Sequence, residues 1–299
     1  NFHHNNKFVN QLLSKRIKIV LHRCPVTPAT IIRYYISQAL ENGAKLVSMQ
    51  HGGNYGVRDQ KDSLQFELDL SDIYLSWGWD SNRENVHKFY VSKKSRVKDY
   101  DYKNNGPILL IGISCRKYFT CYGQLPTYNK IHVEMNKKLI KSFNKDVYDS
   151  LIYRFYHEYG YNERAIIQKE FPNIKISLRE EVGHFYDLLY NSSLIISPND
   201  ATTHKQAFLL NHPTMLLFNP AYFTVNKRAK PYYDLLHEAG ILYYSSEKCG
   251  EKINEIYSNP MQWWMTDKVQ KAKDAFSEQY CRTTDDFTGE LAKVVNNLR

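Results

Sequence analysis

A histidine and a glycine pair directly follow an apolar run in the stretch KLVSMQHGGNYG (45–56). The run predicts a strand, which places His51 where that strand ends and a loop begins. Glycine has no Cβ and lets the backbone come close to a ligand. We expect the backbone at Gly52 and Gly53 to contact a ligand in this way. Imidazole exchanges protons near neutral pH, so His51 is a candidate acid or base, or a hydrogen-bond donor to a sugar carboxylate or phosphate. A structural histidine at the strand end is the alternative.

Carboxylates cluster in the next segment, QFELDLSDIYLSWGW (65–79), and just after it. Its alternation predicts one or two strands, on which Glu67 and Asp69 share a face. A retaining double displacement on a sugar needs one carboxylate as nucleophile and a partner as acid or base. Asp72 and Asp80 complete the cluster. Solvent-facing charge on an edge strand is the alternative for at least two of the four.

The second half of the chain contains a strand followed by a helix start in SLIISPNDATTHKQAFLLNHPTMLLF (193–218). The strand ends at Pro198, and the helix is predicted to begin at Ala201 with Asn199 or Asp200 as its cap. The first N–H groups of a helix and the positive end of its dipole can hold a phosphate. The side chains expected around that phosphate are Asp200, Thr202, Thr203 and Lys205. A capped helix without a ligand is the alternative.

Other polar residues follow or end neighbouring strands, namely Ser114, Arg116 and Arg154. A guanidinium there can pair in bidentate fashion with a phosphate or a sugar carboxylate, although Arg116 can equally be a surface residue. The sequence has no H-E-x-x-H motif and no D-x-D at a strand end, so no metal site is predicted. A single phosphate can be stabilised by a helix start and a basic side chain without a cation.

Short apolar β-type runs alternate with helical stretches through most of the chain, which is typical of an α/β protein with parallel sheets. We predict a Rossmann-like first domain over 1–98. A second Rossmann-like domain follows over 106–260, and helices over 261–299 are predicted to pack back on the first domain. Trp263 and Trp264 are the expected anchor of this tail.

Composition agrees with a globular protein, since 42% of the 299 residues are apolar and no apolar run reaches the length of a membrane span. The five cysteines are scattered without a C-x-x-C pair, which favours a reduced, cytoplasmic setting. The net charge of +9 favours anionic partners such as lipid headgroups or phosphorylated sugars. Nucleic acid is not favoured, because no basic recognition helix or aromatic RNA-binding motif is present.

Residues 193–218 contain, in order, a strand, the motif D-x-[ST]-[ST], a helix and the motif N-x-P-T. This order resembles the donor-binding half of GT-B glycosyltransferases and of glycerol-phosphate polymer transferases. More narrowly, four motifs resemble a bacterial family of surface-polysaccharide transferases, itself similar to retaining Kdo transferases that use CMP-linked ulosonic acids. These motifs are QHGGNYG (50–56), E-x-x-x-x-D-x-Y-L-S-W-G-W (67–79), AKPYYDLLHEAGI (229–241) and a QWW helix ending in F-x-x-x-Y (276–280). Glu67 and Asp72 match the family pattern. The resemblance covers most of residues 17–285 and implies a GT-B-like fold, two Rossmann-type domains whose parallel sheets face a cleft.

Two departures from the family pattern bear on function. Gln206 stands where a glutamate that grips ribose hydroxyls is usual, so the donor contact would be a neutral amide. The first domain is also short for a GT-B protein, and we expect further sequence upstream.

The resemblance implies a metal-independent glycosyltransferase without a cofactor. The domain over 1–98 would present the acceptor and the catalytic groups, and the domain over 106–260 would bind the nucleotide-sugar donor. The enzyme would move an ulosonic acid, Kdo or a nonulosonate, from a CMP-sugar donor to a surface glycan, an acceptor expected on a lipid carrier. The positive charge would then hold the enzyme at the inner membrane. The alternatives are a CDP-polyol phosphate polymerase, for which only His51 is well placed, and a non-catalytic nucleotide- or glycan-binding module.

Overall fold

The computed structural model describes residues 17–23, 30–58, 63–92, 102–113, 127–156, 159–178 and 185–298. The chain divides into two units. One comprises Asn1–Ser95 and Glu278–Arg299, and the other comprises Arg96–Ser277. None of the helices within these described ranges is long and apolar enough to cross a membrane.

The first unit contains a four-stranded parallel sheet in the order β1-β2-β3-β4. Its elements are β1 (Ile19–His22), α1 (Thr30–Glu41), β2 (Lys45–Met49), α2 (Ser63–Leu70), β3 (Ile73–Ser76), β4 (Val86–Lys88) and, near the C-terminus, α12 (Phe287–Asn296).

Helices cover both faces of this first sheet. Successive side chains of a strand point to opposite faces, so Leu46 packs with Ile36 of α1, whereas Val47 packs with Phe287 and Leu291 of α12. Both β2 side chains are fully buried. The carboxyl ends of the strands remain as the edge where loops carry polar groups.

Helix α2 corrects the strand prediction for the start of 65–79. Leu64, Glu67, Leu68 and Ser71 are all buried, whereas Phe66 is half exposed. Burial at spacings of three and four residues is helical, and it outweighs the alternation that suggested a strand. Glu67 and Asp69 therefore do not share the face of a strand, and only the end of the segment, β3, is extended.

The second unit contains a six-stranded parallel sheet in the order β10-β9-β8-β5-β6-β7. Its strands are β5 (Ile108–Ile111), β6 (Leu151–Arg154), β7 (Lys175–Ser177), β8 (Leu194–Ser197), β9 (Thr214–Leu217) and β10 (Leu242–Tyr243). The sequence predicts these six strands as the apolar runs 107–114, 150–156, 174–178, 194–198, 214–218 and 241–245, and each observed strand lies within one of them. Its helices are α3 (Thr127–Lys141), α4 (Lys145–Ser150), α5 (Glu163–Glu170), α6 (Phe185–Asn191), α7 (Thr202–Leu209), α8 (Lys230–Glu238), α9 (Ser246–Ile256) and α10 (Pro260–Trp264), with α11 (Asp267–Tyr280) crossing the boundary between the units.

The second sheet is doubly wound, with helices on both faces, as a Rossmann-like domain requires. Leu110 packs on one face with Val133 of α3 and Ile253 of α9, whereas Leu109 packs on the other face with residues of α6 and α7, including Leu189. The strand order reverses between β5 and β8, because the chain leaves β5 towards β6 and later returns to pair β8 on its other side. Ligands of such sheets bind outside the carboxyl ends of the strands at this reversal.

The tryptophan pair of the tail lies in the second unit, which differs from its expected place on the first domain. The Trp264 indole packs on Phe208 of α7, and its Nε1 donates to the backbone oxygen of Asn211 at 2.9 Å. Asn211 ends α7 in the left-handed conformation, with φ of 51°, and this turn presents its carbonyl and side-chain oxygens to the indole. In the first unit it is α12 that packs on the sheet.

Candidate active site

One buried glutamine holds the loop that carries His51. Gln50 is 1% exposed, and its Nε2 donates to the backbone oxygen of Gly52 at 2.6 Å. Its Oε1 accepts from the backbone N–H of Trp77 at 2.8 Å and from Nε1 of Trp79 at 2.7 Å. Because β2 and β3 are neighbouring parallel strands, their carboxyl ends meet, and Gln50 ties together the two loops that follow them.

Glycine is required by the backbone at two positions near this glutamine. Gly56 and Gly78 have positive φ values of 74° and 121°, which L side chains rarely adopt. A Cβ at Gly56 would lie 2.4 Å from the Trp79 ring, and one at Gly78 would lie 2.5 Å from the backbone oxygen of Glu278. A Cβ at Gly52, by contrast, would lie 3.4 Å from the Tyr55 ring, so steric crowding does not demand glycine there.

His51, Tyr55 and Glu67 form a hydrogen-bonded array at the carboxyl edge of the first sheet. The Tyr55 hydroxyl donates to Glu67 Oε1 at 3.1 Å. The Tyr55 hydroxyl oxygen also lies 3.2 Å from Nδ1 and 3.1 Å from Nε2 of His51. The tautomer of the imidazole decides which of these nitrogens takes part in the hydrogen bond. The His51 side chain is 37% exposed and that of Glu67 is 1% exposed, so His51 is the member that a ligand can reach.

Burial changes the acidity of Glu67. Removal of the carboxyl group from water raises its pKa to about 7, even though the hydrogen bond from Tyr55 acts in the opposite direction. Glu67 Oε2 is buried and has no hydrogen-bond partner in the described part of the chain. A carboxyl group that titrates near neutral pH beside an imidazole is typical of acid–base sites. The sequence left open whether Glu67 is the nucleophile or the acid–base partner, and its burial argues against the nucleophile, which requires contact with the sugar.

The structure does not bring Asp72 to this array. Its carboxylate accepts from Lys45 Nζ at 2.8 Å and from the backbone N–H of Leu46 at 2.8 Å. Both donors lie at the first residues of β2, the amino end of the sheet, whereas His51 follows the carboxyl end. The pairing of Asp72 with Glu67 in one catalytic site is thus corrected, since Asp72 connects β3 to β2.

The two remaining carboxylates of the predicted cluster form exposed ion pairs. Asp69 accepts from Arg83 Nη2 at 2.6 Å, and Asp80 lies 3.0 Å from Lys88 Nζ. Both face solvent, as the alternative interpretation predicted, but Asp69 lies in helix α2 and not on an edge strand.

In the second unit, helix α7 begins beside the reversal of strand order, directly after β8. Its N-cap is Ala201, and no side chain of the described residues caps it, so the prediction of Asn199 or Asp200 as cap is wrong. Thr202 and Thr203 occupy the first turn, as predicted, and both are partly exposed.

Asp200 and Lys205 form a buried ion pair, which corrects their expected place around a phosphate. Lys205 Nζ donates to Asp200 Oδ1 at 2.7 Å, and the Tyr233 hydroxyl donates to the same oxygen at 2.7 Å. Asp200 is 5% and Lys205 1% exposed, and Nζ lies 5.5 Å from the centre of the Phe276 ring. Burial opposes ionisation of Asp200, but the charge of Lys205, the neighbouring His204 at 3.4 Å and the hydrogen bonds from Lys205 and Tyr233 together outweigh it and hold the pKa of Asp200 below its usual range.

The other residues predicted to bind the sugar donor are Gln206, Arg154, Ser114 and Arg116, and the structure describes the first two. Gln206 donates from Nε2 to the Tyr186 hydroxyl at 3.0 Å. Arg154 ends β6, one strand from the reversal, and its buried guanidinium lies 5.6 Å from the centre of the Phe185 ring. Ser114 and Arg116 lie outside the described residues.

Sequence reasoning missed Tyr55 and Tyr233, whose hydroxyls donate to the buried carboxyl groups of Glu67 and Asp200. Tyr55 stands in the quoted HGGNYG stretch, four residues after His51, and this spacing was the available signal. Tyr233 is 33 residues from Asp200 in sequence, and no local pattern connects them.

The family model for LIC12162 family transferases matches residues 1–295, and the chain belongs to that family. A search of curated proteins finds no match.

Solved structures of similar fold include S. aureus MnaA with UDP, at a TM-score of 0.59 and 15% identity over 99% of this chain and 82% of that one. A mutant of S. aureus TarM in complex with Fondaparinux, alpha-GlcNAc-glycerol and UDP has a TM-score of 0.56 and 13% identity, over 97% of this chain and 58% of that one. The wall teichoic acid polymerase TagF, soaked with CDPG, has a TM-score of 0.52 and 11% identity over 99% and 84%. At these identities the likeness concerns the fold, which is of the GT-B type with two parallel sheets.

Proposed function

We propose that this transferase is a glycosyltransferase that moves a sugar from a nucleotide-activated donor to a glycan acceptor. The second unit binds the donor, and the first unit supplies the acid–base chemistry. The observation that carries the proposal is the array at the end of β2, where the exposed His51 is linked through Tyr55 to a buried carboxyl group.

His51 is the catalytic residue of this proposal. An acceptor hydroxyl attacks more readily when a base removes its proton, and a neutral imidazole can do so near physiological pH. The carboxyl group behind it, with a pKa of about 7, gives the imidazole a partner that titrates in the same range.

The donor phosphate is assigned to the start of α7. The helix begins at the reversal of strand order with no side-chain cap from the described residues, and Thr202 and Thr203 place hydroxyls in its first turn. Backbone N–H groups and the helix dipole favour an anion there. Because Lys205 is held by Asp200, this chain relies on hydroxyl and backbone donors, and on Arg154 at the neighbouring strand end. UDP and CDPG in the MnaA, TarM and TagF structures of similar fold support a nucleotide as ligand.

The finer assignment is an ulosonic acid donor of the CMP-Kdo or CMP-nonulosonate class, and it rests on the motifs that resemble retaining Kdo transferases. The acceptor is then a surface glycan on a lipid carrier, and the net charge of +9 favours contact with anionic headgroups. A CDP-polyol phosphate donor is the second candidate, favoured by the similarity in fold to TagF.

A donor panel tests the proposal. The protein is incubated with CMP-Kdo, a CMP-nonulosonate, CDP-glycerol and UDP-N-acetylglucosamine, each with and without a glycan acceptor, and release of the nucleotide is measured. Turnover with a CMP-sugar supports the full assignment, and turnover with CDP-glycerol alone supports the second candidate. Nucleotide binding by calorimetry without turnover of any donor would leave a binding module and overturn the proposal.

Two variants test the proposed roles of His51 in catalysis and of Thr203 in nucleotide binding. His51→Ala is expected to abolish turnover and to leave nucleotide affinity unchanged, whereas Thr203→Ala is expected to weaken nucleotide binding about tenfold, as loss of one phosphate hydrogen bond implies. His87→Ala, an exposed histidine of β4, is the matched control. Unchanged affinity in Thr203→Ala would show that the phosphate binds elsewhere. The proposed reaction needs no metal, so EDTA is expected to leave turnover unchanged.

A further inference from the structure

The exposed and the buried members of the His51 array do not contact each other directly. His51 Nδ1 and Glu67 Oε1 are 4.0 Å apart, which is too long for a hydrogen bond. The Tyr55 hydroxyl lies 3.1 Å from Glu67 Oε1 and 3.1–3.2 Å from the ring nitrogens of His51. A proton that passes between the imidazole and the carboxyl group therefore passes through the phenol.

We propose that Tyr55 relays a proton between His51 and Glu67, so that the buried carboxylate stores the proton that His51 removes from the acceptor. The inference rests on the proposed glycosyl transfer for its substrate. The relay itself depends only on the three side chains, and it can be measured without a donor.

The proton balance is as follows. One ring nitrogen of neutral His51 takes the acceptor hydroxyl proton while the acceptor oxygen bonds to the anomeric carbon and the bond from that carbon to the nucleotide phosphate breaks. The other ring nitrogen gives its proton to the Tyr55 oxygen, and the Tyr55 hydroxyl gives its own to Glu67 Oε1. His51 and Tyr55 end neutral, Glu67 ends protonated, and the nucleotide leaves as an anion. Reversal of the relay then returns the proton to solvent through His51.

Two observations favour this role over a purely structural one. A buried carboxyl group with one unpartnered oxygen destabilises the folded protein, and Glu67 Oε2 is such an atom within the described residues. Its raised pKa of about 7 lets the group accept a proton at the pH at which imidazole gives one up, which a structural ion pair would not do.

The phenol also holds a fixed position. Tyr55 is 6% exposed, and its ring stands edge-on to His51 with 5.0 Å between ring centres. Gln50 fixes the loop between them through Gly52. A relay needs such fixed donors and acceptors, because a small displacement lengthens two hydrogen bonds at once.

The activity test replaces the hydroxyl and keeps the ring. In Tyr55→Phe we expect the donor KM to be unchanged and kcat to fall about a hundredfold, the lower range of general acid–base contributions. The solvent deuterium isotope effect should show several protons in transfer in the wild type and one in the variant. Tyr90→Phe, the same change elsewhere in the first unit, is the matched control. An unchanged kcat and isotope effect in Tyr55→Phe would overturn the relay.

A second test needs no turnover. In protein labelled with 15N-histidine, the ring shifts of His51, assigned by comparison with His51→Ala, are followed through a pH titration. The wild type should show a second inflection from the Glu67 carboxyl group, and both Tyr55→Phe and Glu67→Gln should lose it. If Tyr55→Phe retains this inflection, the relay is wrong. If the wild type shows it but turns over no donor, the relay stands and the proposed glycosyl transfer is wrong.

Discussion

Each unit contains a buried carboxyl group that accepts a hydrogen bond from a tyrosine hydroxyl, Glu67 in the first unit and Asp200 in the second. The pKa values of these two groups are shifted in opposite directions. Asp200 Oδ1 accepts from Tyr233 and from Lys205, both at 2.7 Å, whereas Glu67 Oε1 accepts from Tyr55 at 3.1 Å with His51 at 4.0 Å. The pKa of Asp200 is lowered, because the Lys205 charge, the neighbouring His204 and the hydrogen bonds from Lys205 and Tyr233 together overcome burial, whereas burial raises the pKa of Glu67 to about 7.

The difference lies in the counter-charge and not in the depth of burial. A fixed ammonium group keeps a carboxylate ionised and makes the pair a structural unit. An imidazole reached only through a phenol leaves the carboxyl group free to gain and lose a proton near neutral pH. The first unit therefore contains the group suited to chemistry, and the second contains a constant ion pair that fixes the start of α7.

The largest expected effect comes from removal of the counter-charge. Lys205→Met leaves Asp200 buried and uncompensated, and we expect a loss of about 4 kcal/mol in the free energy of unfolding, measured by urea denaturation. The double variant Asp200→Asn, Lys205→Met should regain part of it. Lys230→Met, which removes an exposed partner of Asp234, should cost less than about 1 kcal/mol. If Lys205→Met and Lys230→Met lower the free energy of unfolding by the same amount, Lys205 is not the counter-charge that distinguishes Asp200 from Glu67.

Glu67 should make stability depend on pH in the sense opposite to a paired carboxylate. Its folded pKa of about 7 lies above the ordinary 4.5, so its contribution is fully present below about pH 4.5 and is lost as pH rises to 7. The loss is up to about 3 kcal/mol. Urea denaturation at a series of pH values should show this decrease, and Glu67→Gln should flatten it. A decrease that persists in Glu67→Gln would assign it to another group.

The two tyrosine hydroxyls should differ in what they contribute to stability. Tyr233→Phe removes a donor to an ionised carboxylate, and we expect a loss of about 2 kcal/mol, because hydrogen bonds to charged groups contribute about 1.5–3 kcal/mol. Tyr55→Phe removes a donor to a carboxyl group that is partly protonated at pH 7 and should cost about 1 kcal/mol. Thermal and urea denaturation at pH 7 measure both. The reverse order would mean that Glu67 is ionised and Asp200 is not.

The smallest effect is expected at Asp72. Asp72→Asn keeps an oxygen for the Leu46 N–H and weakens only the exposed contact with Lys45, so stability should fall by less than about 1 kcal/mol and turnover should not change. Nucleotide release by the variant, with Glu67→Gln assayed beside it, provides the measurement. A loss of turnover in Asp72→Asn equal to that in Glu67→Gln would return Asp72 to the catalytic site.

Local pattern was sufficient for most of the fold. The apolar runs of the second unit predicted each of its strands within a few residues, because strands buried on both faces read as continuous apolar segments. Helix α2 was missed, since its residues alternate in polarity over a short stretch, and only the burial of Leu64, Glu67 and Leu68 on one face separates a helix from a strand there.

For the candidate site, the sequence by itself determined which residues follow strand ends, and so it identified His51, Thr202 and Thr203. Only the tertiary structure decided the roles of the ionisable groups. Lys205 forms an ion pair with Asp200, Asp72 contacts the amino end of β2, and Glu67 lies beside Tyr55 and His51. The physical reason is that strand and helix propensities act between neighbours in sequence, whereas the charge state of a carboxyl group depends on burial and on partners that the fold brings from distant positions, such as Tyr233 beside Asp200.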